Sequence, residues 1–485
     1  MSLLDPKIWT DKILLEGWTS GGGGTSAVLE PATGATLGSV GLADESDVST
    51  AAARAAEAQR AWAATTPSER ARILRHAGEL FDRHAEEISQ WLIREAGSVG
   101  AKASIEVHTA AAECYEAAAL PTHPSGEIFP SDADHWSMAR RCPAGVVAVI
   151  SPFNFPLVLS IRSVAPALAL GNAVLLKPDL RTTVAGGVAL VRVFEEAGLP
   201  PGVLQLLPGG AQVGQALVSA REVRVISFTG STAAGRKVGE AAGRALKRAH
   251  LELGGNNAVI VLPGADVAKA ASAGAFGSWL HQGQICMSTG RHLVHESIHD
   301  EYVAALAEKA QHLPVGDPAT DQVALGPVID QHQLDHISEI VQQTVEQGAR
   351  VAAGGTSDGL FYAPTVLSGL TSSMRAWEEE IFGPVAPVLS FSNLDEAVEL
   401  VNASPYGLSV SILGDVGQAM HIADRIESGK IHINEQTVAD EPNAPFGGWK
   451  DSGTGSRFGG AQANIEAFTE TQWLTMRPDI ADYPF

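Results

Sequence analysis

The 485-residue sequence predicts an α/β fold with more than one structural unit. From about residue 145 onward, short runs rich in Val, Ile and Leu each end in Gly or Pro and are followed by an amphipathic stretch. Strands that alternate with helices in this way form parallel sheets with right-handed crossovers. A chain of this length exceeds one ordinary hydrophobic core, so we expect two or three units.

The first unit is predicted to begin with helices and continue with strands. Residues 45–97 combine Ala-rich and charged stretches with apolar residues at helical spacing. Runs of Val, Ile and Leu then predict strands at 145–151, 172–178, 202–210 and 223–230. These strands would form one parallel sheet.

The same alternation of strands and helices starts again further along the chain and predicts a second α/β unit. Its expected elements are a strand at 257–265, helices within 300–312 and 333–348, and a strand at 386–391. Two segments fit neither unit: residues 122–141, and the tail 465–485 with its strand-like FTETQWLTM sequence.

Charge and cysteine content argue against several classes of function. The chain has 33 Lys and Arg against 55 Asp and Glu, a net charge of −22. Such a surface repels phosphate backbones and anionic lipids, so we expect neither nucleic-acid nor membrane binding. The most apolar stretch, residues 145–176, is interrupted by Pro and Asn and predicts two strands and a helix, not a membrane span. Three cysteines are too few for a disulfide framework, so we expect a cytoplasmic protein.

Two segments have the pattern of a ligand site at the end of a strand. In FTGSTAAG, residues 228–235, glycines flank a turn into a helix, whose first N–H groups favour a phosphate. The spacing is not the dinucleotide fingerprint, and a simple tight turn is the alternative. In SPFNFP, residues 151–156, Asn154 could donate to an oxyanion, or it could be an ordinary turn residue.

Glu252 and Cys286 are candidates for acid–base and nucleophilic chemistry. Glu252 lies on an apolar run before two glycines, where poor solvation would raise its pKa and suit a general base. The alternative is the end of a helix capped by Gly254. Cys286 lies among small and polar residues, as an accessible nucleophile requires, although a lone Cys is often only structural. His281 is expected to be structural, and no metal-ligand spacing is present.

Taken together, seven segments identify a family resemblance. They are SPFNFP (151–156), LLKP (175–178), FTGSTAAG (228–235), LELGGN (251–256), GQIC (283–286), EEIFGPV (379–385) and PFGGWKDSG (445–453). In this order the chain resembles the aldehyde dehydrogenase superfamily over essentially its whole length. The resemblance implies a Rossmann-like nicotinamide-binding domain, an α/β catalytic domain and a small β oligomerisation arm. The implied boundaries are 1–121 with 142–252, then 253–452, and 122–141 with 465–485.

The resemblance also implies a role for each matching residue. Cys286 matches the nucleophile, Glu252 the general base and Asn154 the oxyanion amide. The residues that match cofactor contacts are Lys177, Gly230, Ser231, Gly235, Glu380 and Phe382. The implied reaction oxidises an aldehyde to the free acid through a Cys thiohemiacetal and thioester, because members that pass the acyl group to coenzyme A typically lack the Glu. A homodimer or homotetramer is expected.

One departure from the family pattern concerns the cofactor. Many members that prefer NAD have a Glu three residues after the Lys, where this chain has Leu180. Loss of that carboxylate removes a charge that would repel a 2′-phosphate. Arg181 could pair with such a phosphate or be a solvated residue. We therefore expect use of both NAD and NADP.

The second departure concerns the substrate. Residues 152–182 resemble the benzaldehyde and vanillin dehydrogenase branch, and Phe155, Phe446 and Trp449 could form flat walls for an aromatic ring. These aromatics could instead be core residues. Arg162, where many members have an aromatic residue, could face a substrate anion or form a structural ion pair. The expected substrate is an aromatic aldehyde, and the alternative is an aliphatic aldehyde or a semialdehyde.

Overall fold

A seven-stranded sheet forms the first unit of the protein, in a computed structural model that describes residues 2–485. Its strands, in spatial order, are Arg248–Glu252, Val223–Thr229, Val146–Ile150, Ala173–Lys177, Leu204–Leu206, Ile13–Leu14 and Trp18–Thr19. The first five are parallel, and the two N-terminal strands add in antiparallel fashion. The four strands predicted between residues 145 and 230 are confirmed.

The order of these strands creates a crevice at one edge of the sheet. From Val146–Ile150 the chain first adds strands on one side of it, and later adds Val223–Thr229 on the other side. In open parallel sheets, ligands bind at such a reversal, outside the carboxyl ends of the strands.

A second seven-stranded sheet forms the other α/β unit. Its strands, in spatial order, are Arg350–Ala353, Thr365–Ser368, Val385–Phe391, Thr289–His295, Asn257–Val261, Ser409–Leu413 and Lys430–Ile433. All neighbours are parallel except Arg350–Ala353, which runs antiparallel to Thr365–Ser368. The strands predicted at 257–265 and 386–391 are both present in it.

Helices cover the faces of both sheets, including every region predicted as helical. The α-helices are Pro6–Trp9, Glu45–Ala63, Pro67–Arg83, Ala85–Ala96, Gly100–Ala119, Pro156–Ala169, Ala189–Ala197, Ala211–Ser219, Thr232–Arg244, Val267–Trp279, His299–His312, Gln331–Glu346, Arg375–Glu378, Leu394–Asn402, Val416–Ala423 and Ala461–Phe468. Their limits follow local signals: Asp44 forms a capping box, and Thr66 caps the helix that starts at Pro67. None of the helices within residues 2–485 is long and apolar enough to cross a membrane.

Alternating side chains of the first sheet pack into two hydrophobic clusters, one on each face of the sheet. Val147 and Val149 point into a cluster with the helices 67–119, whereas Val146, Ala148 and Ile150 pack into the cluster on the opposite face. Full burial on both faces explains why this strand is a continuous apolar run.

The two segments that fitted neither unit meet in a separate antiparallel sheet. It contains Gly126–Phe129, Trp136–Pro143 and Thr469–Met476, with Trp473 opposite Ala139. The strand predicted in FTETQWLTM is thus confirmed. The residue boundaries of the three domains stay a prediction.

The remaining elements are short. Strand pairs are Thr25–Leu29 with Thr36–Gly41, Ser357–Asp358 with Phe361–Tyr362, and Tyr406–Gly407 with Trp449–Lys450. Short 3₁₀ turns are Leu120–Thr122, Leu180–Thr182, Leu280–Gly283 and Glu296–Ile298, and Val184–Val188 is a single π-helical turn.

Candidate active site

Three of the predicted site residues follow neighbouring strands of the first sheet. Lys177 is the last residue of its strand, Gly230 directly follows Val223–Thr229, and Asn154 lies four residues after Ile150. Because these strands are parallel neighbours, their carboxyl ends meet at one edge of the sheet, beside the reversal of strand order. The site therefore lies where the topology leaves a crevice.

The turn after the strand Val223–Thr229 leads into the helix Thr232–Arg244. Ser231 caps this helix by accepting a hydrogen bond from the Ala234 N–H at 3.3 Å. Gly235 allows close packing, since a Cβ there would lie 2.2 Å from Leu253 Cδ2. The Gly230 N–H donates to the Glu252 carbonyl at 3.1 Å, which ties the turn to the next strand.

Glu252 ends the strand Arg248–Glu252, so the alternative of a helix capped by Gly254 is wrong. The residues 248–252 pair in parallel with Val225–Thr229, and this pairing overrides the capping signal of the two glycines. The Glu252 side chain is 4% exposed, and neither carboxyl oxygen has a hydrogen-bond partner within residues 2–485. Burial raises its pKa well above the usual value, although the charges of Arg457 and Arg162 oppose the shift.

Cys286 lies on a turn shaped by three consecutive residues with positive φ. His281, Gln282 and Gly283 have φ values of 50°, 57° and 67°. Gly283 is required there, because a Cβ would lie 2.2 Å from the Gly383 carbonyl oxygen. The Cys286 carbonyl accepts a hydrogen bond from Asn257 Nδ2 at 2.8 Å, which fixes the other side of the turn.

The Cys286 thiol is a weaker acid than an ordinary cysteine. Burial raises its pKa to about 12, the carboxyl groups of Glu380 and Glu252 add to the increase, and Lys430 opposes it. Cys286 and Glu252 line the same cavity. A carboxyl group with a raised pKa binds protons more strongly, so Glu252 is suited to accept one.

The cavity around Cys286 has a largely apolar wall. Its lining residues are Leu159, Arg162, Ser163, Thr229, Glu252, Leu253, Cys286, Phe446 and Phe458. A small apolar cluster beside it contains Ile285, Met287, Leu408 and Phe446, and Phe155 and Cys286 pack against this cluster. Of the three predicted aromatic residues, Phe446 lines this cavity, and Phe155 packs against the neighbouring cluster.

Trp449 is not brought to this cavity. It forms a short edge strand that pairs with Tyr406 and Gly407, and its side chain is 48% exposed. This pairing places the indole at the surface, so the prediction that Trp449 forms a wall for the substrate is not met.

Arg162 lines the cavity, but its charge is already paired. Nε donates to Glu113 Oε1 at 3.2 Å and Nη2 donates to Asp440 Oδ2, while the guanidinium lies 4.8 Å from the centre of the Phe446 ring. Burial alone would lower the pKa of Arg162, but the two carboxylates more than reverse this and raise it. Of the two open roles, the structural ion pair is the one observed.

Arg181 is likewise bound to carboxylates. Its guanidinium donates to both Asp179 oxygens and to Asp330 Oδ2, each at 2.8 Å, and it stacks 4.1 Å from the centre of Phe153. It is therefore not a free partner for a 2′-phosphate, and its side chain is partly exposed to solvent. Leu180 begins the turn Leu180–Thr182 beside it.

Glu380 and Phe382 approach this site from the second unit. Glu380 Oε1 accepts the Gly255 N–H at 2.9 Å, and burial raises its pKa to about 7. A Cβ on Gly254 would lie 2.1 Å from Glu380 Oε2, so the glycine makes room for the carboxylate. Phe382, with φ of 51°, meets the Phe153 ring edge-on at 5.9 Å.

Several cavity residues were not predicted. Leu159 had a usable signal, because it lies four residues after Phe155 and three before Arg162, on the same face of the helix Pro156–Ala169. Asp440 and Phe458 lie far along the chain from Arg162 and Glu252 and have no local signal.

Comparison with known proteins decides the family. The model of the aldehyde dehydrogenase family matches residues 18–474. The chain belongs to the aldehyde dehydrogenase family. It is 64% identical to a vanillin dehydrogenase from Amycolatopsis sp., over all of both chains. It is 46% identical to the benzaldehyde dehydrogenase [NAD(+)] of Pseudomonas putida, over 99% of this chain and 98% of the relative.

A solved structure agrees with this membership. The salicylaldehyde dehydrogenase from Pseudomonas putida G7, complexed with salicylaldehyde, superposes with a TM-score of 0.94. It is 37% identical, and the match covers 98% of this chain and 99% of the other. The protein is therefore an aldehyde dehydrogenase that uses a nicotinamide cofactor.

The residues at the sheet edge fit such a cofactor. The N-terminus of the helix Thr232–Arg244 offers N–H groups and a partial positive charge to a diphosphate. Burial lowers the pKa of Lys177 while Asp179 opposes the shift, and Lys177 ends a strand at the same edge of the sheet, two strands away from Val223–Thr229. The donor chemistry of this edge is therefore suited to phosphate and ribose groups.

Proposed function

We propose that the protein oxidises an aromatic aldehyde of the benzaldehyde or vanillin type to the carboxylic acid. The observation that carries the proposal is the largely apolar cavity at Cys286, which Phe446 lines, with Phe155 packed against the cluster beside it. The names of the relatives, vanillin, benzaldehyde and salicylaldehyde dehydrogenase, support the same substrate class.

In the first step Cys286 acts as the nucleophile. Its thiol proton leaves to the solvent, which the half-buried side chain of Cys286 can reach. The thiolate then attacks the aldehyde carbon and forms a thiohemiacetal on the sulfur. The resulting oxyanion accepts hydrogen bonds from the Asn154 amide and the Cys286 backbone N–H.

In the second stage the thiohemiacetal becomes a thioester on Cys286. The nicotinamide cofactor, when bound, supplies the acceptor for the hydride that leaves this carbon. We assign Lys177, Gly230, Ser231 and Gly235 to its ribose and diphosphate groups, and Glu380 and Phe382 to its nicotinamide end.

Hydrolysis then releases the acid. Glu252 takes a proton from a water molecule, and the hydroxide attacks the thioester carbon while the Cys286 thiolate leaves. The two oxygens of Glu252 support this role, because neither has a hydrogen-bond partner within residues 2–485. The presence of Glu252 also favours the free acid over transfer to coenzyme A.

A semialdehyde is not favoured as substrate. Its carboxylate would need a free cation in the cavity, and the cavity's arginine, Arg162, is bound to both Glu113 and Asp440. A substrate anion would have to displace one of these carboxylates.

We propose that both NAD and NADP are accepted. Leu180 provides no carboxylate to repel a 2′-phosphate, which favours NADP use. Arg181 provides no free charge to attract one, because Asp179 and Asp330 bind it, so strict NADP preference is not expected.

We also propose a homodimer or homotetramer that assembles through the three-stranded sheet. Exposed Ile128, Trp136 and Trp473 on this sheet support an association surface. The units 1–121 with 142–252, 253–452, and 122–141 with 465–485 are proposed as domains. The three free cysteines support a reducing compartment, and we propose the cytoplasm.

Initial rates of reduced-cofactor formation test the substrate class. Benzaldehyde, vanillin, hexanal and succinate semialdehyde are each measured with NAD and with NADP. We expect the highest kcat/KM for the two aromatic aldehydes with either cofactor. A higher value for succinate semialdehyde would contradict the proposal and would give Arg162 back its role as an anion anchor.

A further inference from the structure

The turn that carries Asn154 is held by a buried ion pair from another helix. Lys102 and Glu106 lie one turn apart on the helix Gly100–Ala119, and their side chains are 1% and 0% exposed. Lys102 Nζ donates to Glu106 Oε2, to Ser98 Oγ at 3.1 Å and to the Asn154 backbone carbonyl at 2.8 Å. The ammonium thus binds the residue that we assign to the oxyanion.

Glu106 binds the other end of the same turn. Its Oε1 accepts hydrogen bonds from the Leu157 N–H at 2.9 Å and the Val158 N–H at 3.3 Å. These groups begin the helix Pro156–Ala169, which has no side-chain cap of its own. A carboxylate at this position accepts hydrogen bonds from N–H groups that have no partner within the helix. Its negative charge is also stabilised by the positive end of the helix dipole.

We propose that Lys102 and Glu106 are positioning residues that fix the Asn154 amide for oxyanion binding. The inference rests on the proposed role of Asn154. The pair fixes a carbonyl at one side of the turn and two N–H groups at the other. Lys102 Nζ also lies 4.2 Å from the centre of the Phe155 ring, so the same ammonium contacts a proposed wall of the substrate cavity.

A role in stability alone does not account for this arrangement. Removing two charges from water is costly, and apolar residues of similar volume often stabilise a core equally well. The ion pair provides a directional hydrogen bond to one chosen carbonyl, which an apolar pair does not. Small displacements of a positioned group reduce reaction rates strongly.

The test is a cycle of three variants: Lys102→Met, Asn154→Ala and the double variant. Met keeps the apolar contact with Phe155 but removes the donor. The measured quantities are the rate of the pre-steady-state burst of reduced cofactor and the KM for the cofactor. We expect Lys102→Met to slow the burst about ten- to hundredfold with the cofactor KM unchanged. In the Asn154→Ala background the same change should have little further effect.

Other outcomes overturn the inference. An unchanged burst rate in Lys102→Met, or an equal slowing in both backgrounds, means that Lys102 does not act through Asn154. If Asn154→Ala alone leaves the burst unchanged, the oxyanion role itself fails and the inference fails with it. The single Asn154 variant therefore distinguishes the two failures.

Two further variants separate positioning from folding. Lys102→Met with Glu106→Gln removes the unpaired buried charge, and Gln keeps an acceptor for the Leu157 and Val158 N–H groups. Relative to Lys102→Met alone, we expect Lys102→Met with Glu106→Gln to regain the wild-type melting temperature but not the wild-type burst rate. Recovery of both quantities would overturn the inference. Lys247→Met is the matched control, since Lys247 Nζ also donates to a backbone carbonyl, that of Val218 at 2.6 Å. Its burst rate should equal that of the wild type.

Discussion

Glu252 and Glu95 are both buried carboxyl groups, and they differ in what their oxygens meet. Glu95 Oε1 and Oε2 accept hydrogen bonds from the backbone N–H groups of Val184 and Ala185, at 2.9 and 2.7 Å. Neither oxygen of Glu252 has a partner within residues 2–485. Buried polar groups in native proteins are almost always hydrogen-bonded. The missing partners of Glu252 therefore indicate a group kept free for a ligand or a water molecule.

The two carboxyl groups also differ in the causes of their pKa shifts. Burial raises the pKa of Glu95 to about 8, and its two backbone donors oppose the shift. Burial also raises the pKa of Glu252, but there the main opposing groups are the charges of Arg457 and Arg162, the second of which lines the same cavity. The carboxylate form of Glu95 is stabilised by direct hydrogen bonds from the backbone, whereas that of Glu252 is stabilised mainly by the charges of arginine side chains. The first arrangement stabilises structure, and the second leaves a proton acceptor beside Cys286.

The largest expected effect is the loss of the nucleophile beside Glu252. Cys286→Ala should lower turnover by at least about 10⁴-fold, because no thioester can form. Cofactor binding, measured by fluorescence titration, should stay unchanged. The matched control is Cys142→Ala, a free cysteine on the three-stranded sheet, which should keep wild-type turnover. Substantial dehydrogenase activity in Cys286→Ala would refute the assignment.

The next effect separates the two carboxyl groups directly. Glu252→Gln should reduce steady-state turnover by about 10²- to 10⁴-fold, because no base activates water. Stopped-flow measurement should still detect a burst of reduced cofactor, because hydride transfer precedes the hydrolysis that needs the base. An unchanged steady rate would remove Glu252 from hydrolysis.

Glu95→Gln should have the opposite profile. Gln provides one acceptor in place of two, so one backbone N–H loses its partner and the free energy of unfolding falls by about 1–3 kcal/mol. Turnover per folded molecule should stay near the wild-type value. Denaturant titration and steady-state rates on the same sample check both statements. A large loss of turnover without loss of stability would contradict the structural role of Glu95.

The pH dependence of stability should also come from Glu95. Its pKa in the folded state, about 8, lies above the ordinary value of 4.5. The folded protein then binds more protons than the unfolded chain between these values. The corresponding contribution to stability is fully present below about pH 4.5 and is lost as the pH rises through about 8. Melting temperatures from pH 5 to 9 should fall more steeply for the wild type than for Glu95→Gln.

Much of the site could be predicted because its signals are local. Lys177 ends the apolar strand Ala173–Lys177, Gly230 directly follows the strand Val223–Thr229, and Cys286 lies in a polar segment between two elements. Glu252 stays a predicted base, and the sequence left open whether it ends a helix or a strand. Only the pairing of Arg248–Glu252 with its parallel neighbour decides between them. That pairing is tertiary and has no signature within seven residues.

The rest of the site depends on contacts between distant residues. Arg162 and Asp440 are 278 positions apart, so no spacing rule predicts that this guanidinium is already paired. Trp449 lies three residues after Phe446 in PFGGWKDSG, yet pairing with Tyr406–Gly407 moves it to the surface. Lys102 binds the Asn154 carbonyl across 52 positions. Such contacts follow from the packing of separate elements and not from the composition of either one.

The smallest expected effect comes from adding a carboxyl group at the cofactor crevice. Leu180→Glu would place a further carboxylate beside Asp179 and Asp330, whose charges are both already paired with Arg181. The new group, unlike Asp179, would be free, as the oxygens of Glu252 are. It should raise the KM for NADP by about tenfold through repulsion of the 2′-phosphate and change the KM for NAD much less. Leu180→Gln is the control, since it adds a side chain of the same length without charge. Equal effects of the two substitutions, or equal effects on the two cofactors, would mean that residue 180 does not face the ribose.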